Sequence, residues 1–94
     1  MPKRVKNPER RSDAELCAEF WRAPEQALLD RRTAASGAGL TAGWLEWAAT
    51  NGGGPVITKI GRRVRYRKAD VLAWLQVHSR RIRSTAELGE QTQG

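Results

Sequence analysis

The apolar residues of this chain fall into short blocks separated by glycine, proline and runs of charge, and each block has its own period. Leu16 and Phe20 are four apart, as are Cys17 and Trp21, a spacing that lays one apolar face along a helix. Ser12-Asp13-Ala14-Glu15 ahead of them is a capping box, in which the Ser12 hydroxyl and the Glu15 carboxylate can each satisfy a free backbone amide. The pattern predicts a helix from there to about Trp21. Pro24 suits the first turn of a second short helical segment, over roughly 24–29. Asp30 is a further cap, for a short helix over 31–36 that ends at the tight break Ser36-Gly37-Ala38-Gly39. Thr41 caps the next helix, over 42–50. Asn51-Gly52-Gly53-Gly54-Pro55 closes it, because glycine supplies a left-handed cap and Pro55 cannot continue the helix.

The period then changes. Thr58 to Ile60 and Arg63 to Tyr66 alternate as two short strands, and Gly61-Arg62 between them has the chemistry of a type II′ hairpin turn, with glycine first. From Lys68 to His78 the residues Val71, Leu72, Trp74, Leu75 and Val77 predict a last helix with a broad inward face. Beyond Ser79 the chain is polar and turns acidic at Glu87 and Glu90, a frayed extension and tail. The order is helix, tight turn, helix, hairpin, helix. Two short helices joined by a glycine-containing turn form a helix-turn-helix, and the hairpin behind them is a wing. The expected fold is therefore mainly α with a small β-hairpin: a winged helix-turn-helix over 30–78, an extra N-terminal helical segment over 12–29, a disordered basic arm over 1–11 and a polar tail over 79–94.

Charge sharpens this picture. The chain has 94 residues, enough for one small domain with a modest core and little room for a deep catalytic cleft. Its formal charge is +7, from 17 Lys and Arg against 10 Asp and Glu. Such an excess favours nucleic acid or an anionic surface over acidic small molecules. Six basic residues (Lys59, Arg62, Arg63, Arg65, Arg67 and Lys68) crowd into ten positions around the predicted turn. A narrow hairpin so loaded is shaped to meet a polyanion. The competing reading is a solvated sheet edge. Segment 12–30 is acidic by contrast, with Asp13, Glu15, Glu19, Glu25 and Asp30 against Arg22. It is expected to face away from a phosphate backbone or to meet a basic patch on another copy.

Over 28–75 the sequence resembles the winged helix-turn-helix modules of MerR-type and AlpA-like proteins and of excisionases. The matching stretches are LLDRRTAA from Leu28, LTAGWLEW from Leu40 and, most specifically, GPVITKIGRRVRYRKADVLAWL from Gly54. The resemblance implies a double-stranded DNA-binding architectural protein rather than an enzyme. Small basic members of this group are commonly recombination directionality factors, which assist a tyrosine integrase in excising a mobile element such as a phage or an integrative and conjugative element. Several copies of such a factor line up on the attachment site and bend it. In this chain the acidic segment 13–25 and the basic clusters are complementary, so copies are expected to join head to tail. The chain departs from the pattern in the acidic segment 12–29 and in its recognition helix.

On a helical wheel Leu40, Trp44, Leu45 and Ala48 of that recognition helix turn to the core, while Ala42, Gly43, Glu46 and Thr50 lie opposite. There is no Lys or Arg between Arg32 and Lys59. The arginine fork that most often reads guanine is therefore missing, leaving Thr41, Glu46 and Thr50 for single contacts, with Glu46 suited to a cytosine amino group. Trp47 is either core rim or an exposed contact. Affinity is expected from phosphate contacts by the wing, with Arg62 at the tip entering the minor groove. Trp74 and Trp44 are expected in the core, and Phe20 and Trp21 are expected to dock the first helix.

Cys17 is the only cysteine and His78 the only histidine, and neither has a partner at a metal-ligand spacing, so neither disulfide, metal nor cofactor is expected. No small-molecule substrate is expected either. No apolar run approaches a membrane span, no secretory signal is expected, and a cytoplasmic, nucleoid-associated location is the expectation. An AlpA-like transcriptional regulator uses the same residues. A protein-interaction module, in which residues 12–29 dominate, is the alternative of a different class.

Overall fold

The computed structural model describes residues 11–83, so the sequence arm up to residue 10 and the tail from residue 84 lie outside the described residues. The described chain runs α1 (Asp13–Arg22), β1 (Leu28–Leu29), α2 (Arg31–Ala38), α3 (Ala42–Asn51), β2 (Thr58–Ile60), β3 (Arg63–Arg67) and α4 (Lys68–His78). It is mostly helical, with one three-stranded antiparallel sheet ordered β1-β3-β2.

Local chemistry sets most of these boundaries. At α1 the Ser12 hydroxyl accepts from the Glu15 amide at 3.1 Å, and the Glu15 carboxylate accepts from the Ser12 amide at 2.8 Å. Asp30 accepts from the Thr33 amide at 2.8 Å at the start of α2, and Thr41 accepts from the Trp44 amide at 3.0 Å at the start of α3. Gly39, at φ 76°, closes α2 in the left-handed conformation that glycine reaches without strain.

The expected helix over 24–29 does not form. A single turn closes there, the Ala27 amide donating to the Pro24 carbonyl at 3.0 Å. Leu28 and Leu29 then pair with Arg67 and Tyr66 as a third strand. The reason is tertiary. The last helix has no side-chain cap, and its first amides need acceptors. The Lys68 amide donates to the Ala27 carbonyl at 3.0 Å and the Ala69 amide to the Glu25 carbonyl at 2.8 Å. Segment 12–29 is thus built into the domain rather than added to it.

Phe20, Leu29, Ala34, Ala35, Leu45, Tyr66 and Val71 form the core. Phe20 is fully buried, and α1 packs on α2 through it. A Cβ on Gly37 would stand 2.1 Å from Phe20 Cγ, so only glycine lets the two elements meet this closely. That contact also corrects the expected end of α2. Gly37 lies inside the helix, and the break comes at Gly39. Trp74 and Val77 were expected to face inward. Trp74 is only half-buried. Its indole N–H donates to the Gly53 carbonyl at 2.9 Å, and its ring stacks on His78 at 4.6 Å and lies 5.6 Å from Trp44. Val77 is 77% exposed, one residue before the helix ends and beyond the reach of the core. Trp21 keeps its ring largely in solvent and donates to the Gly37 carbonyl at 3.1 Å.

Candidate nucleic-acid interface

Alternation along β2 and β3 positions the basic hairpin. Ile60 pairs with Arg63, which leaves Gly61 and Arg62 as a two-residue turn. Gly61 has φ 63°, and among the described residues none other than glycine has positive φ. One positive φ, at the first turn position, matches the expected type II′ geometry, because type I′ would need it at Arg62 as well.

The six predicted basic residues separate into three groups. Lys59, Arg62 and Arg63 are exposed and have no polar partner among the described residues. Arg65 and Arg67 are half-buried. Arg65 donates to the Val64 carbonyl at 3.2 Å, while Arg67 donates to Gln26 Oε1 at 3.0 Å and lies 4.0 Å from Asp70.

Lys68 corrects its assignment to the DNA-gripping set. It is buried, with 7% of its surface accessible. Its ammonium donates to the carbonyls of Trp21 at 3.0 Å and Ala23 at 2.7 Å, and lies 5.6 and 5.5 Å from the Phe20 and Trp21 ring centroids. A lysine so placed is a cap on the C-terminal end of α1, where free carbonyls and the helix dipole favour a cation.

On α3 the residues Thr41, Gly43, Glu46, Trp47 and Thr50 are exposed, as a reading surface requires. Trp47 is 57% exposed, which places it outside the core rim. Space around Gly43 is open, with nothing within 4 Å of where a Cβ would stand. Ala42 is the exception. It is half-buried and packs in part against the core.

The acidic segment is partly neutralised within the chain. Arg32 donates to Asp13 at 3.2 Å and to the Arg11 carbonyl at 2.7 Å, while Arg11 pairs with Glu19. Asp30 sits nearer the hairpin. Burial pushes its carboxyl upward, but hydrogen bonds from the Thr33 side chain and amide outweigh that. The positive charges of Arg65 and Arg11 act in the same direction, and the net result is a value below the usual aspartate range.

Three contributors to this region were not foreseen. Gln26 orients Arg67. Ile60 and Leu28 lie directly across from Arg63 and Arg67 and share their face. The parity of β3 alone would have placed Ile60 there once the two-residue turn was read. Leu28 required knowing that β1 exists.

Among the described residues no helix is long and apolar enough to cross a membrane. Nor are three His, Cys, Asp or Glu side chains grouped as a metal would need. Comparison with protein-family models, with curated proteins and with solved structures found no match to this chain.

Proposed function

We propose that this chain is a winged helix-turn-helix protein of the MerR-like and AlpA-like kind, and that it binds double-stranded DNA without catalysing a reaction. In this reading α2 and α3 are the helix-turn-helix and β2–β3 the wing. One observation carries it: a narrow hairpin presents Lys59, Arg62 and Arg63 to solvent, unpaired among the described residues, in a chain of net charge +7. Arg62 at the tip enters the minor groove, Arg63, Arg65 and Arg67 hold phosphates, and α3 makes sparse base contacts through Thr41, Glu46, Trp47 and Thr50. Weak readout by each copy fits an architectural role, in which repeated copies and DNA shape supply the specificity.

The biological role proposed is that of an excisionase, a recombination directionality factor that binds cooperatively at attachment sites and bends DNA so that a tyrosine integrase excises a mobile element. Head-to-tail contact between copies would draw on Glu25 and the exposed Trp21 ring, since Asp13 and Glu19 are engaged within the chain.

Footprinting on the DNA flanking its own gene, followed by an excision assay with any tyrosine integrase encoded beside it, tests the proposal. Protected tandem sites and integrase-dependent excision are expected. Protection without any effect on excision would leave the AlpA-like regulator as the function. Failure to retard any duplex in dilute buffer would overturn both and favour the protein-interaction module.

A further inference from the structure

The alternation of β3 arranges its charges as well as supplying them. Val64 and Tyr66 turn toward the core. Successive side chains of a strand point to opposite faces, so Arg63, Arg65 and Arg67 share the outer face of the sheet. Residues directly opposite in an antiparallel pair lie on the same face. Ile60 therefore borders Arg63, Thr58 borders Arg65 and Leu28 borders Arg67. The outer face is a row of three guanidinium groups, edged by Ile60, 51% exposed, and Leu28, 37% exposed.

Alternate residues on a strand are spaced by about 6.6–6.8 Å. That is close to the separation of successive phosphates along one nucleic-acid strand. The edging side chains are apolar and suit the carbon faces of the sugars. None of the residues on this face of the three strands is aromatic, so base stacking is not what the face offers. Two of the three arginines are already held, Arg65 by the Val64 carbonyl and Arg67 by Gln26, so less side-chain freedom is lost when a ligand arrives. Two acids lie near the row: Asp70, 4.0 Å from Arg67 at its end, and Asp30, whose carboxylate is taken by the Thr33 amide.

We infer that the outer face of the sheet is a track for a single sugar–phosphate strand running lengthwise along β3, with three successive phosphates meeting Arg63, Arg65 and Arg67. This rests on the nucleic-acid reading above and deepens it, because the contact needs one strand and not two. The protein then holds single-stranded DNA with the same side chains that hold one strand of a duplex.

The test is fluorescence anisotropy with the full chain, using a mixed-sequence 12-mer as single strand and as duplex, between about 50 and 300 mM salt. Both forms are expected to bind. On the single strand, Arg63→Ala and Arg65→Ala should each reduce the slope of log affinity against log salt by about 0.7, the value for one lost phosphate contact. Arg63→Lys should keep the slope. Arg62→Ala, outside the row, should leave the single-strand slope unchanged. Circular dichroism checks that each variant is folded. If the chain binds the duplex but not the single strand, or if Arg62→Ala changes the single-strand slope while the row variants do not, the track is wrong and the duplex-binding function stands. If neither form binds, both fail.

Discussion

The ammonium of Lys68 donates a 2.7 Å hydrogen bond to the carbonyl of Ala23, the residue that ends α1. With its second bond, to Trp21, it fixes the first helix to the start of the last. Its environment holds carbonyls and aromatic rings, which stabilise a cation through lone pairs and ring quadrupoles.

Lys68→Met keeps the volume of the stem and removes the donor. Hydrogen bonds to charged groups contribute about 1.5–3 kcal/mol each, and buried acceptors left open add to the loss. A fall of about 2–4 kcal/mol in urea unfolding free energy is expected. The salt slope for DNA should not change, since the side chain faces inward. An unaltered unfolding midpoint, or a shallower slope, would contradict the placement.

Gly37→Ala should destabilise by about 1–3 kcal/mol, the usual cost of overpacking a tight contact, because its Cβ would overlap Phe20. A chain beginning at Leu28 should fare worse. It lacks Phe20 and the carbonyls of Glu25 and Ala27 that α4 uses. Loss of a cooperative thermal transition in that truncation is the expected result, and a sharp transition would show that the domain is complete without α1.

Asp30 makes a pH prediction. Its carboxyl is held below the usual aspartate value in the folded chain. A depressed carboxylate contributes stability that is fully present above its unfolded value, near 3.9, and is lost as pH falls through the folded one. Asparagine caps helices about as well, so Asp30→Asn should be close to wild type at pH 7. It should lose less stability than wild type below about pH 4. Parallel acid-unfolding curves would remove Asp30 from the account.

Trp47→Ala should leave stability within about 0.5 kcal/mol, as for an exposed site, while weakening duplex binding. Glu46→Ala is expected to alter discrimination between a cognate and a scrambled site only modestly, with Arg62→Ala lowering affinity for both. The assignment of affinity to the hairpin fails if Glu46→Ala abolishes discrimination and Arg62→Ala is mild.

Much of this architecture is legible in the chain because it is written in local chemistry. Ser12 with Glu15, Asp30 and Thr41 mark three helix starts, and Gly61-Arg62 marks a turn whose register then follows. What was not legible depends on distant partners. Leu28-Leu29 is too short to show alternation, and its pairing with β3 exists only in the folded chain. Lys68 adjoins an arginine run and reads as one more surface charge until α1 supplies carbonyls around it. Gly37 reads as a breaker because its role is set by Phe20, in another helix. On the candidate surface, the exposed side of α3 was legible, with Ala42 half-buried because packing against the core, which a wheel does not show, covers part of it.

The bonds that Lys68 makes to Trp21 and Ala23 span 47 and 45 residues of sequence. Contacts so remote are slow to form, since the intervening loop must close before they contribute. During synthesis Phe20 can meet Gly37 as soon as α2 has emerged. The carbonyls of Trp21 and Ala23 face water until Lys68 follows, so the far end of the opening helix is the part fastened last.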